Sequence, residues 1–185
     1  MRIVELSTVK TDDIVLQLAR IVTEAFPGED GYPTLEIARD EVLKSLGEGR
    51  ISLVALNEKD QAIGFIGAIE TYNGNVYELH PLVVSADSRG QGVGTLLVAA
   101  LEERVKETRA VTIYLGTDDV DDRTNIAGID VYPDPLAHAM RLESTNNHPL
   151  AFYRKLGYVV VGVLPDANDF GKPDIYMAKR IGARK

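Results

Sequence analysis

The chain has 185 residues, with 28 acidic against 20 basic side chains, a formal net charge of −8, 45% hydrophobic residues, three His and no Cys. Such a length fits one domain of roughly 100–200 residues, and the composition is that of a globular chain rather than a disordered or fibrous one. The acidic balance argues against a nucleic-acid binder and suits cationic partners, while the absence of Cys excludes a disulfide framework and thiolate zinc ligands and the scattered His make a metal site unexpected. No apolar run approaches the ~18 residues that span a bilayer, and the first residues lack the pattern of a signal peptide, so the cytoplasm is the expected location and no membrane contact is expected.

Ile3 to Leu6 reads as a short strand. Thr11 then caps a helix on which Ile14, Val15, Leu18, Ile21, Val22 and Phe26 share a face, and Pro27 and Gly28 end it. Thr34 caps a second helix carrying Leu35, Ala38, Val42, Leu43 and Leu46, with Gly47 as its stop. The period then changes: Ile51 to Leu56, Ala62 to Glu70 and Val76 to Val84 read as strands joined by turns at Asn57 to Asp60 and Asn73 to Asn75, an antiparallel meander. Gly92 to Arg109 is a helix with Leu96, Leu97, Ala100, Leu101 and Val105 inward and Glu102, Glu103, Lys106 and Glu107 outward, and Val111 to Gly116 is the next strand. A strand, a helix and a strand in that order make a crossover that sets two strands parallel, so the sheet should be mixed.

Residues 117–145 lack a period and carry seven acidic side chains against two basic ones. A segment of that length is a functional loop or a disordered one; its carboxylates present either a polycation site or a solvated face. DDVDDRTN lacks the spacing of a calcium loop. Pro149 to Leu156 reads as a helix stopped by Gly157, with strands at Tyr158 to Leu164 and Asp174 to Arg180. With no repeat and no linker, residues 1–185 are expected to be one domain.

The most specific segment is Arg89-Gly90-Gln91-Gly92-Val93-Gly94-Thr95, between the strand ending at Val84 and the amphipathic helix. Glycines turn the backbone tightly and leave successive amide N–H groups unobstructed, and the new helix adds unpaired N–H groups and a positive dipole end. Such a turn suits a pyrophosphate, with Arg89 as a charged donor; the plain reading is a Gly-rich connection. There is no GxxxxGK[ST], and the dinucleotide GxGxxG is absent because Leu97 follows Gly94. On the preceding strand, Glu78 and His80 fall on one face and Leu79 on the other, while Pro81 cannot donate to a ladder, so a bulge should splay the strand there.

The Arg89 to Gly94 segment resembles the R/Q-x-x-G-x-G/A motif of the GNAT superfamily of acetyl-CoA-dependent N-acetyltransferases, and NHPLAFYRKLGY (Asn147 to Tyr158) is similar to that superfamily's later tyrosine-bearing helix. The runs YELHPLVV (Tyr77 to Val84), IYLGTDD (Ile113 to Asp119) and GVLPDAN with KPDI (Gly162 to Ile175) further resemble the chromosomal, homodimeric aminoglycoside 6'-N-acetyltransferases. That branch carries tryptophans where this chain has Phe26 and Tyr176 and no Trp at all.

The resemblance implies an α/β GNAT fold with a central, mixed, mostly antiparallel sheet splayed by a bulge, acetyl-CoA as co-substrate, no metal, and a homodimer. It implies that Glu78 holds or deprotonates the substrate ammonium, with His80 beside it, and that the backbone N–H near Leu82 polarises the thioester. Leu82, Val83, Val84, the 89–95 turn and Tyr153 would bind the cofactor. Tyr153 would also protonate the departing thiolate, a near-balanced transfer for a phenol of ordinary pKa ~10. Phe26, Glu78, His80, Asp118 and Asp119 would bind the aminoglycoside, and the product would be a resistance activity. Glu78 and His80 as a mere polar strand face, and Tyr153 as a core aromatic, remain the plain alternatives. Direct attack in a ternary complex is expected, since no Cys or Ser–His arrangement offers a covalent carrier. Acetylation of a polyamine or protein amine is the alternative within the same chemistry, and a non-catalytic acyl-CoA sensor the alternative outside it.

Overall fold

The computed structural model describes residues 1–29 and 31–182. The chain divides into two compact units, Met1–Val111 with Ile181–Lys185, and Thr112–Arg180.

In the first unit, β1 (Arg2–Glu5), β2 (Arg50–Leu56), β3 (Ala62–Thr71) and β4 (Val76–Val84) pair antiparallel in chain order. β2 and β3 bury consecutive residues rather than alternate ones, as strands covered on both faces do. On one face lie α2 (Asp12–Ala25) and α3 (Leu35–Lys44), whose Leu18, Val22, Ala38 and Val42 join Val54, Leu56, Phe65 and Val83 in one core cluster. The hydroxyls of Thr11 and Thr34 accept the N–H groups of Ile14 (3.2 Å) and Ile37 (3.3 Å), as the capping pattern anticipates. On the other face, α4 (Val93–Lys106) brings Val93 and Leu97 against Gly64, where an added Cβ would lie 3.2 and 3.0 Å from them.

The structure corrects the predicted apolar stripe of α4 at two positions. Leu96 is 47% exposed and Glu102 is buried, while Val98 faces the core. α4 thus presents Leu97, Val98, Leu101, Glu102 and Val105 inward, a stripe rotated from the one that counting apolar residues selects. A four-residue helix, α1 (Leu6–Val9), follows β1 directly and takes Leu6 out of the strand, burying it completely.

In the second unit, β5 (Thr112–Asp118) and β6 (Val159–Asp169) each pair antiparallel with β7 (Lys172–Arg180). The inward residues Ile113, Leu115, Ile175 and Met177 are all but fully buried, together with Leu150 and Tyr153 of α6 (Pro149–Lys155). The aperiodic segment 117–145 is built rather than loose. It contains α5 (Pro135–Met140), a bridge between Thr124 and Ser144, and the buried Ile126, Val131 and Leu142.

Candidate active site

In the first unit the site grows out of β4. Along this strand Tyr77, Leu79, Pro81 and Val83 are buried, Glu78, Leu82 and Val84 are half-buried, and His80 is exposed. The pairing with β3 runs Glu78 with Ile69 and Leu79 with Ala68, then resumes at Leu82 with Ile66. Two β4 residues, His80 and Pro81, therefore stand opposite Gly67, a bulge at the position where proline removes a ladder donor. The fit is close: a Cβ on Gly67 would lie 2.5 Å from the His80 carbonyl oxygen.

His80 Nε2 lies 3.0 Å from the Tyr32 hydroxyl. Tyr32 packs edge-on to Phe26 with ring centroids 6.1 Å apart, and its N–H donates to the Phe26 carbonyl at 2.7 Å. Phe26, 40% exposed, is thereby joined to the β4 face through Tyr32. Burial, and then the carboxylate of Glu41 against the opposing charge of Arg50, push the Tyr32 phenol up to about 12, so it keeps its proton at physiological pH.

Beyond Val84, the chain passes through a 3-10 turn at Ala86–Ser88 into Gly90 and Gly92, both with left-handed φ (74° and 82°). Nothing lies within 4 Å of an added Cβ at either glycine, so the turn is open on its outer side. Leu96 N–H makes the first helical bond, to Gly92 O at 3.1 Å; the N–H groups of Val93, Gly94 and Thr95 precede the ladder and have no acceptor within it. The turn is braced from behind, since Arg89 Nε donates to Val84 O (3.1 Å) and the Gln91 side-chain amide to Asp87 O (2.8 Å). This is a cradle of backbone donors at a helix N-terminus, the chemistry that holds phosphates.

In the second unit, Asp118 and Asp119 point to different environments. Asp118 is exposed at the end of β5, accepts from the Asn168 side-chain amide (2.7 Å), and is in register with Asp174 of β7. Burial, then the charge of Asp118, hold the Asp174 carboxyl above its ordinary range, opposed by hydrogen bonds from Tyr176, Ile175 and Thr117. Gly116 makes room for that carboxylate, because a Cβ there would meet Asp174 Oδ2 at 2.7 Å. Asp119, by contrast, has no exposed surface. Its carboxylate accepts from Arg123 N–H (2.6 Å), Thr124 N–H (2.9 Å) and the Thr124 hydroxyl (2.6 Å), so it closes a turn instead of facing a ligand.

Tyr153 is 8% exposed, with ring centroids 5.1 Å from Phe152 and 5.7 Å from Tyr158. Burial raises its pKa well above that of a free phenol. This departs from the balanced proton transfer the sequence suggests, because a phenol of raised pKa is the weaker acid. Just before α6, His148 is buried, with Nδ1 accepting from Leu150 N–H (3.1 Å) and Nε2 3.0 Å from Asp118 O. Since Nδ1 accepts, the proton sits on Nε2 and donates to that carbonyl, a tautomer fixed by the network. His148 thus ties α6 to the end of β5.

Burial is the main reason the pKa of His148 lies below its ordinary 6.5, partly offset by the Asp118 hydrogen bond. Above that ordinary value both folded and unfolded states are neutral and its contribution to stability is complete. As pH falls through it the unfolded chain gains a proton that the fold resists, so the contribution is lost. The melting temperature should therefore drop more for the native chain than for His148→Asn between pH 7.5 and 5, as thermal unfolding at both pH values would show.

Among the described residues, no group of three or more His, Asp or Glu is placed to hold a metal ion, and no helix is long and apolar enough to cross a membrane.

Comparison with known proteins matches the acetyltransferase (GNAT) family to residues 15–136, which contain β4, the glycine turn and α4. The chain belongs to this family. Its fold is the α/β GNAT fold. Among solved structures, this GNAT chain is similar to an aminoglycoside 6'-N-acetyltransferase complexed with coenzyme A, at 38% identity and a TM-score of 0.90, over 100% of this chain and 99% of that one. It is also similar to the aminoglycoside 6'-N-acetyltransferase from Enterococcus faecium (39% identity, TM-score 0.90, 100% and 99% covered). An aminoglycoside 6'-acetyltransferase type Ii gives 36% identity and a TM-score of 0.74, with both chains fully covered at 100%. No curated protein matches the chain.

Sequence reasoning missed Tyr32, Asp174, Asn168 and the tie made by His148. Asp174 and His148 lie inside quoted runs, but their partners are 30 or more residues away or on the next strand, where no local period reaches.

Proposed function

We propose that the chain, as one catalytic domain, transfers acetyl from acetyl-CoA to the 6'-amine of an aminoglycoside by direct attack in a ternary complex. The observation that carries this reading is the full-length similarity, at 38–39% identity, to aminoglycoside 6'-N-acetyltransferases, one of them complexed with coenzyme A. The 89–95 turn supplies backbone donors for the pyrophosphate, continued along Leu82, Val83 and Val84. The amine nitrogen attacks the thioester carbonyl carbon as the C–S bond breaks; its surplus proton passes to Glu78, directly or through water, and the thiolate takes a proton from Tyr153. The N–H near Leu82 steadies the carbonyl oxygen as charge builds on it. Phe26 and His80 are assigned to the acceptor, and Asp118 to its ammonium groups as a counter-charge, while Asp119 closes the turn that follows β5.

The setting proposed is the cytoplasm, where acetyl-CoA is available, with resistance as the consequence. We take the active form to be a homodimer, for which Val159, Val161 and Leu164, exposed along β6, offer an apolar surface; light scattering on the purified protein reads that directly.

The test of the chemistry is thiol release from acetyl-CoA in parallel with tobramycin, a 6'-hydroxyl aminoglycoside and spermidine. A chain with no Cys adds no thiol background of its own. Release with tobramycin and none with the 6'-hydroxyl compound is the expected result. Release with spermidine alone would move the acceptor to polyamines, and CoA binding without turnover of any amine would leave a sensor.

A further inference from the structure

The contact between Tyr32 and His80 joins residues 48 positions apart and belongs to neither the cofactor turn nor the acidic loop end. Both partners are held from behind. The Tyr32 N–H is fixed on Phe26 O at 2.7 Å, and Gly31 N–H on Gly28 O at 2.9 Å. Gly31 leaves no slack, since a Cβ there would lie 2.6 Å from the same Phe26 oxygen. The ring of Tyr32 packs against the core cluster of α2 and α3, so its hydroxyl projects from a braced loop. His80 sits in the bulge that Gly67 accommodates.

Which atom carries the shared proton follows from acid–base matching. A phenol is a far stronger acid than a neutral imidazole N–H, and an unprotonated imidazole nitrogen is a far better acceptor than a phenol oxygen. We propose that Tyr32 is a positioning residue for His80: its hydroxyl donates to Nε2 across 3.0 Å, holds the imidazole as the Nδ1–H tautomer, and makes His80 a donor rather than the base in acetyl transfer. The inference rests on the acetyltransferase reading for its catalytic meaning and assigns proton abstraction to Glu78. Tyr32 remains protonated across the working pH range, because burial and Glu41 raise its ionisation.

The tautomer is read by 15N NMR of the imidazole rings near pH 9, where His is neutral, with His80→Gln assigning the signal among three histidines. The expected spectrum shows His80 with Nδ1 protonated and Nε2 as acceptor. Tyr32→Phe removes only the hydroxyl; the ring should revert to the Nε2–H form, and kcat should fall roughly 5- to 10-fold with the KM for acetyl-CoA unchanged, the size of one lost hydrogen bond. An Nε2–H tautomer in the native chain, or the same tautomer before and after Tyr32→Phe, would overturn the proposal. If that variant fails to fold, the native spectrum alone decides. The NMR result needs no turnover, so a mistaken acceptor shows in the thiol assay and a mistaken role for Tyr32 shows here.

Discussion

Glu78→Gln is expected to lower kcat for aminoglycoside acetylation by about 100- to 1,000-fold, the range for removing a positioned general base, while acetyl-CoA still binds. The substitution is nearly isosteric at a half-buried position of β4 paired with Ile69, so the strand has no steric reason to move. The pH profile distinguishes the two jobs a carboxylate can do there. If Glu78 removes the ammonium proton, the deficit shrinks as pH approaches the pKa of the substrate amine, because free amine then supplies itself. A deficit that stays constant up to pH 9 would make Glu78 an electrostatic anchor instead. Steady-state kinetics of both proteins across pH 6–9 gives the answer.

The second large effect is on stability. Asp119→Ala should cost about 3–5 kcal/mol, because it leaves two backbone N–H groups and one hydroxyl without a charged acceptor in a buried site. The residue has no exposed surface, and the turn through Arg123 and Thr124 closes on its two oxygens. Asp118→Asn, one residue earlier and exposed, should leave the melting temperature within about 1 °C. Its loss also removes a charge in register with Asp174, which after burial is the next cause of that carboxyl's raised pKa. Thermal melts of the two variants should therefore diverge by roughly 10 °C for the same nominal loss of one negative charge. Equal melts would mean that the turn is held by its other contacts.

The parts of the fold that were readable in advance are those set by chemistry within a few residues. Thr11 and Thr34 announce their helices because a hydroxyl can satisfy an N–H only two or three positions ahead, and both do so. Pro81 announces the bulge because its missing donor is a local fact, and β4 spans Val76–Val84 as the alternation suggests. What escaped is whatever depends on a partner far along the chain. Tyr32 sits in a loop with no period and acquires its meaning only when α2 and α3 carry it to β4. Glu102 looks like a surface residue by type and is buried by the rotation of α4. The adjacent carboxylates of Asp118 and Asp119 look alike in the sequence, yet the strand ends between them and sends one outward and the other into a turn.

The glycines of this protein bear unequally on its genetic history. At Gly67 the obstacle is an atom in the way, the His80 carbonyl 2.5 Å from any Cβ. Every missense codon one base from a glycine codon encodes a residue with a Cβ, so no single-nucleotide missense change there escapes the clash. At Gly92 the obstacle is only the left-handed backbone, with open space around it, and asparagine or aspartate tolerates that conformation. Aspartate is one base from glycine and asparagine two. Deep sequencing of a mutagenised gene under selection for activity should thus leave position 67 glycine throughout while position 92 admits an occasional aspartate.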